Sequence, residues 1–219
     1  MAIKVMRPGD ENIINKHAKW IASKGFARVL DVGGLEKPLR AATDVLDLFP
    51  YHQRRVDEGR GDLPERFTAD TWRMWDVNKV PWPYEAGTFD YVWICQVLED
   101  IRDPIAVCNE MQRVARAGFI STVHRSYESS TVQYDGVVGY HHHRWLIEAY
   151  EAENRIDFTW KTPILQHRAD LRPPRATDWL LNVIWMDDFK AHERHTGGDQ
   201  GQYRELAHYN GTGGHADDH

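Results

Sequence analysis

Cysteine is nearly absent: Cys95 and Cys108 are the only two among 219 residues, and both sit in apolar stretches. Two thiols cannot make a disulfide framework, and no Cys pair stands at metal-ligand spacing, so the expectation is a reducing, cytoplasmic setting. No apolar run approaches the roughly 18 residues of a membrane span. The start, Met1-Ala2-Ile3-Lys4, lacks the apolar core of a signal peptide. Positive charge is also in short supply. Twenty-seven Lys and Arg against thirty-three Asp and Glu leave a net charge of -6, a poor balance for wrapping nucleic acid. The expected partner is a small-molecule substrate, with no membrane, and the sequence is silent on oligomeric state.

What is present is ordinary in bulk and unusual in two residue types. Hydrophobic residues make up 42% and charged residues 27%, enough for a packed core in a chain of this length. Nine Trp and twelve His stand out. The Trp are spread along the chain and read first as core or pocket walls. The His cluster at 141–143 and again towards the C-terminus.

Hydrophobic periodicity orders the chain. Glu11 to Lys24 fits an amphipathic helix, with Asp10 as a cap and Gly25 as its end. Short apolar runs at 27–32, 43–48, 67–75, 89–94 and 119–123 read as buried strands. Ile105 to Ala115 reads as a helix, opened by Pro104, capped by Asp103 and stopped by Gly118. Residues 51–66 read as a loop or short exposed helix, with Arg54 and Arg55 as solvated charges. Pro81-Trp82-Pro83 reads as a rigid connector. Such alternation predicts an α/β fold: a Rossmann-like, doubly wound, mostly parallel sheet with helices on both faces. Residues 155–160 and 179–186 are expected to form an antiparallel pair closing one edge, joined across an Arg172–Arg175 loop. The expected organisation is one domain over 1–195, with a cofactor half at 26–123 and a substrate half at 124–195. A Gly- and His-rich tail fills 196–219.

Open α/β sheets bind ligands beyond the carboxyl ends of their strands, where strand order reverses. The candidate binding residues are therefore those that end each strand. Asp31-Val32-Gly33-Gly34 ends the first, and glycine there lets the backbone turn sharply close to a ligand. Asp47 ends the second, where a carboxylate suits a ribose diol. Asp76 and Val77 end the third, and Cys95 and Gln96 the fourth. Cys95 has no base beside it in the sequence and reads as a small hydrophobe rather than a nucleophile.

Two blocks carry a family resemblance. One runs Arg28-Val-Leu-Asp-Val-Gly-Gly and continues Ala42-Thr-Asp-Val-Leu-Asp47. The other runs from Thr88-Phe-Asp-Tyr-Val-Trp-Ile through Cys95-Gln-Val-Leu-Glu-Asp100 to Pro104, then Asn109-Glu-Met-Gln-Arg-Val-Ala-Arg-Ala-Gly118. Together they resemble class I S-adenosylmethionine-dependent methyltransferases of the small-molecule type over residues 26–123. The resemblance implies S-adenosylmethionine as cofactor and methyl transfer to a small-molecule or sugar-like acceptor. It implies that Asp31, Gly33 and Gly34 support the methionine end, Asp47 the ribose, and Asp76 and Val77 the adenine. Cys95 and Gln96 would lie near the methionine side or the substrate. Glu99 and Glu110 match the pattern and also suit structural hydrogen bonds. Three departures are visible. Leu35 and Lys37 replace loop glycines, Asp100 stands where the family has His, and only residues 34–43 separate Gly33 from Asp44. That leaves room for a very short crossover helix.

His142 and His143, in Tyr140-His-His-His-Arg-Trp145, are the candidate base or substrate-positioning groups. The competing reading has these histidines capping a helix that starts near Trp145. No metal ligand is assigned. A metal-assisted enzyme using residues 141–143, with His124 or Asp135 nearby, is an alternative, although consecutive histidines do not easily face one ion. A methyltransferase-like scaffold that has lost turnover is another.

Overall fold

The computed structural model describes residues 3–6, 11–130, 138–162 and 179–195. Asp10, Asp135, the Arg172–Arg175 loop and the 196–219 tail lie outside the described residues. Five parallel strands form the centre of the main sheet: β2 (Val29–Val32), β3 (Asp44–Asp47), β4 (Trp72–Met74), β5 (Tyr91–Cys95) and β6 (Ala117–Val123). A later strand, Leu180–Met186, runs antiparallel to β6, and the early strand β1 (Ile3–Met6) runs antiparallel to that one. With the later strand as β9, the order is β1-β9-β6-β5-β2-β3-β4. The chain adds β3 and β4 on one side of β2, then β5 and β6 on the other. The order therefore reverses between β2 and β5, the position at which open α/β sheets bind ligands.

Successive strand residues face opposite sides of the sheet, and each side is covered. Helix α1 (Glu11–Lys24) lays Ile14, Ala18 and Ile21 over Val29, Val45, Tyr91 and Trp93. His17 on the same helix is buried there and bonds the Tyr91 hydroxyl at 2.7 Å. Helix α2 (Pro104–Val114) covers the other side with Val107, Cys108, Met111 and Val114, against Leu30, Val92, Ile94 and Ile120. Asp103 caps it as expected, accepting from Ala106 N at 2.9 Å. The Pro81–Pro83 connector buries Trp82, whose backbone N donates to Glu110 Oε2 at 2.5 Å.

Several expectations change. Gly118 does not stop α2, which closes at Ala115; it lies inside β6. A Cβ there would sit 2.5 Å from Val92 O and 2.6 Å from the Trp185 indole nitrogen, so glycine is required by strand packing. Residues 155–160 and 179–186 do not pair with each other. After the short helix α3 (Arg125–Ser130), β7 (Trp145–Tyr150), β8 (Arg155–Trp160) and β10 (Lys190–Arg194) make a separate three-stranded sheet, ordered β10-β8-β7. Its Trp145, Ile147, Ile156 and Phe158 share the α2-side core. Trp145 thus opens a strand, not a helix. Residues 34–43 form no helix; Leu39 bridges to Arg60 and Arg60 N donates to Pro38 O at 2.7 Å. The 51–66 segment, read as a loop or short exposed helix, carries two single-turn 3-10 helices, Tyr51–Gln53 and Val56–Glu58, and bonds back to this turn through Arg55 N and Arg66 N. Its Arg54 is not a solvated charge but pairs with Glu65 at 2.8 Å and lies over the Tyr51 ring.

Candidate active site

The β2 and β5 loops meet at the crevice. Gly33 adopts φ +78°, and a Cβ on it would collide with the Val97 side chain of the opposite loop. Gly34 is equally constrained: its Cβ would stand 2.7 Å from Asp31 Oδ2. Gln96 also takes a left-handed φ of 56° and donates its backbone N to Ser121 O at 2.7 Å. A non-glycine residue held at positive φ is costly unless its surroundings over-determine it, which is common where a ligand binds.

Two cavities flank this contact. The smaller, about 180 Å³, is lined by Asp31, Gly33, Leu35, Arg60, Cys95 and Gln96, among others. The larger, about 370 Å³, includes Gln96, Glu99, Asp100, Tyr140, His142 and His143. Lys37 and Gln96 belong to both walls. The structure therefore brings Asp31, Gly33, Cys95 and Gln96 to one hollow and His142 and His143 to the adjoining one. Gly34 packs behind the turn, and Asp47, Asp76 and Val77 line neither cavity.

Each carboxylate has its own electrostatic setting. Burial lifts Asp31 to about 7, although Leu39 N donates to it at 2.7 Å. Burial also raises Asp47, against the hydrogen bonds it accepts from Phe49 N at 2.8 Å and Leu35 N at 3.0 Å. Each Asp47 oxygen keeps a lone pair for a further donor. Asp76 is lowered by hydrogen bonds from the Asn78 backbone and side chain. Val77 is buried, and its carbonyl accepts from the Trp82 indole at 2.9 Å. Burial pushes the Cys95 thiol up to about 11, so it holds its proton at neutral pH.

Two residues emerge that the strand-end logic missed. Arg60 is only 5% exposed, lines the smaller cavity and has an Nε without a hydrogen-bond partner. In sequence it is one charge in a charged loop, and only its pairing with the 38–40 turn carries it inside. Glu99 is buried against the larger cavity; Thr122 donates to its Oε2 at 2.9 Å while Oε1 is unpartnered. Burial raises it to about 7, with the His143 charge opposing.

The histidines sit in a turn before β7. His143 is buried and its Nδ1 lies 2.9 Å from Glu128 Oε2. His142 is half exposed, and both rings direct Nε2 towards Asp100 Oδ1, at 3.9 and 3.8 Å. Consecutive histidines thus do face one point, because their rings stand 82° apart. His141 is exposed and His124 bonds Ser126 at 2.7 Å, away from this group. Among the described residues no helix is long and apolar enough to cross a membrane.

Comparison with known proteins adds an independent line. A methyltransferase-domain family model matches residues 42–120. No curated protein matches the chain. Solved structures similar to it include an S-adenosylmethionine-dependent methyltransferase from Mesorhizobium loti, at 16% identity over 77% of this chain and 97% of that one, TM-score 0.41. The methyltransferase domain of bacterial CtHen1 is 9% identical over 80% and 98% of the two chains, TM-score 0.44. The N-terminal domain of EvdMO1 with SAH bound is 18% identical over 92% and 71%, TM-score 0.36. The matched segment spans β3 to β6, the strands on both sides of the reversal in strand order, and over that segment the chain is similar to methyltransferase domains.

Proposed function

We propose that this enzyme methylates a small-molecule acceptor held in the larger cavity, with the methionine end of S-adenosylmethionine in the smaller one. The observation that carries the proposal is the pair of cavities sharing Gln96 and Lys37 at the β2/β5 crevice. The smaller hollow suits an amino-acid moiety. Arg60 offers an unpartnered Nε–H for a carboxylate, and Asp31 an acceptor for an ammonium. Gly33 lets the turn pack directly against Val97 of the opposite loop, which closes that side of the hollow. Asp47 takes the ribose hydroxyls with its remaining lone pairs, while Asp76 and Val77 serve the adenine. Gly34 keeps the turn clear of Asp31, and Cys95 contributes a neutral wall.

When bound, the cofactor supplies an electrophilic methyl group on a sulfonium. The protein aligns the acceptor against it, excludes water and removes the acceptor's proton where its nucleophile needs that. His142 and His143 line the acceptor's side, and the free Oε1 of Glu99 is a third group able to take that proton.

Titration calorimetry with S-adenosylmethionine tests the cofactor half. Saturable binding is expected; none up to millimolar cofactor overturns the reading. Asp47→Ala and Arg60→Gln should each weaken binding without unfolding the protein. For Arg60 the loss is roughly tenfold to a hundredfold, the worth of a charge-assisted hydrogen bond. Unchanged affinity in either removes that residue from the site.

A further inference from the structure

We propose that Asp100, His142 and His143 form a binding site for one divalent first-row transition-metal ion at the mouth of the acceptor cavity. The ligand atoms of the three residues all lie within 4.8 Å of one another. The separations from Asp100 Oδ1 to the two imidazole Nε2 atoms, 3.9 and 3.8 Å, are too long for hydrogen bonds. They approach the span across an ion: two bonds of about 2.1 Å at a tetrahedral angle hold their donor atoms about 3.4 Å apart. The two pairs that include Asp100 are within half an ångström of that span, and all three ligand atoms lie within 4.8 Å. Two imidazoles and one carboxylate favour Zn(II), Mn(II), Fe(II) or Co(II) over magnesium or calcium. Asp100, His142 and His143 all line the larger cavity.

A second observation, independent of those distances, is how His143 is held. Its Nδ1 meets the buried carboxylate of Glu128 at 2.9 Å, which makes Nδ1 the donor and leaves the Nε2 lone pair pointing at Asp100. Glu128 is itself braced. Lys161 Nζ ion-pairs with its Oε1, and Tyr140 N donates to the same oxygen at 2.9 Å. The turn is shaped around this support: Gly139 takes φ +67°, and a Cβ there would collide with Glu128. A carboxylate orienting one ring nitrogen of a histidine whose other nitrogen faces a ligand set is the usual outer arrangement of a metal site. A purely structural network would need only Nδ1. It would give His142, half exposed on the adjacent position, no reason to aim at the same Asp100 oxygen.

An ion here would hold oxygen atoms of the acceptor. That role rests on the reading of the larger cavity as the acceptor's, whereas the binding itself does not. The test uses full-length protein stripped with chelator and then titrated with Co(II), followed by visible absorption and by calorimetry. One equivalent should bind with a tetrahedral or five-coordinate spectrum. Asp100→Asn and His142→Ala, both at accessible positions, should each lower affinity at least tenfold, and Glu128→Gln about 10–100-fold. His141→Ala should leave it unchanged. No binding, or binding equal in Asp100→Asn, His142→Ala and the parent, overturns the site; the second outcome moves the ion to other histidines. Cofactor calorimetry on the stripped protein is read separately. A protein that binds Co(II) but not S-adenosylmethionine keeps this site and loses the proposed function.

Discussion

Glu99 and Asp31 show how burial gives individual carboxyl groups their chemistry. Glu99 ends a turn beside β5 with one oxygen held by Thr122 and the other free at the cavity wall. Glu99→Gln keeps the shape and removes the proton acceptor. If Glu99 is the base, kcat should fall by about 10²–10⁴ with cofactor affinity unchanged; an unaltered kcat would remove Glu99 from that role. Asp31 gives a prediction in stability. Burial raises it from 3.8 to about 7, so the folded state keeps a proton that the unfolded chain releases. Its stabilising contribution is complete below pH 3.8 and is lost as pH rises to about 7. Urea denaturation should therefore show a decline across that window that is shallower in Asp31→Asn. Parallel curves would mean that Asp31 is not buried in its neutral form. Asp31 and Asp47 were legible as site candidates because each ends a strand. Arg60 was not, because a loop arginine reaches a cavity only through pairing that no local pattern records.

Elements with their own periodicity are the ones a linear reading recovers. α1 and α2 carry apolar residues at helical spacing, and Asp103 and Pro104 mark a start that needs no tertiary information. The strands of the parallel sheet are short and mostly apolar, with Asp31 in β2 and Asp47 at the end of β3 among the polar exceptions. Gly118 misleads because glycine punctuates helices and also admits close packing, and sequence cannot separate the two uses. Gly118→Ala places a methyl group against Val92 O and the Trp185 indole. It should destabilise the protein by about 1–3 kcal/mol, measured as a lower urea midpoint. A neutral result would show that β9 can shift away from β6.

At the scale of the whole molecule, buried charge ties α3 to the small three-stranded sheet. Lys161 and Glu128 both have side chains only 1% exposed. Lys161→Met leaves Glu128 buried without its cation, an unpaired charge that costs about 3–5 kcal/mol. A thermal melt should show that loss, and a stability equal to the parent's would show that His143 suffices as counter-charge. The parallel sheet, its two covering helices and the strand-end carboxylates followed from local order alone, since periodicity, caps and strand ends are properties of neighbouring residues. The reversal of strand order could be anticipated from the family resemblance. Only the tertiary structure decided that 155–160 belongs to a second sheet and that Arg60 enters the smaller cavity. It alone brought Asp100, forty-odd residues before His142 and His143, to face both of their rings. Those outcomes depend on contacts between segments far apart in the chain, and no window along the sequence contains both partners.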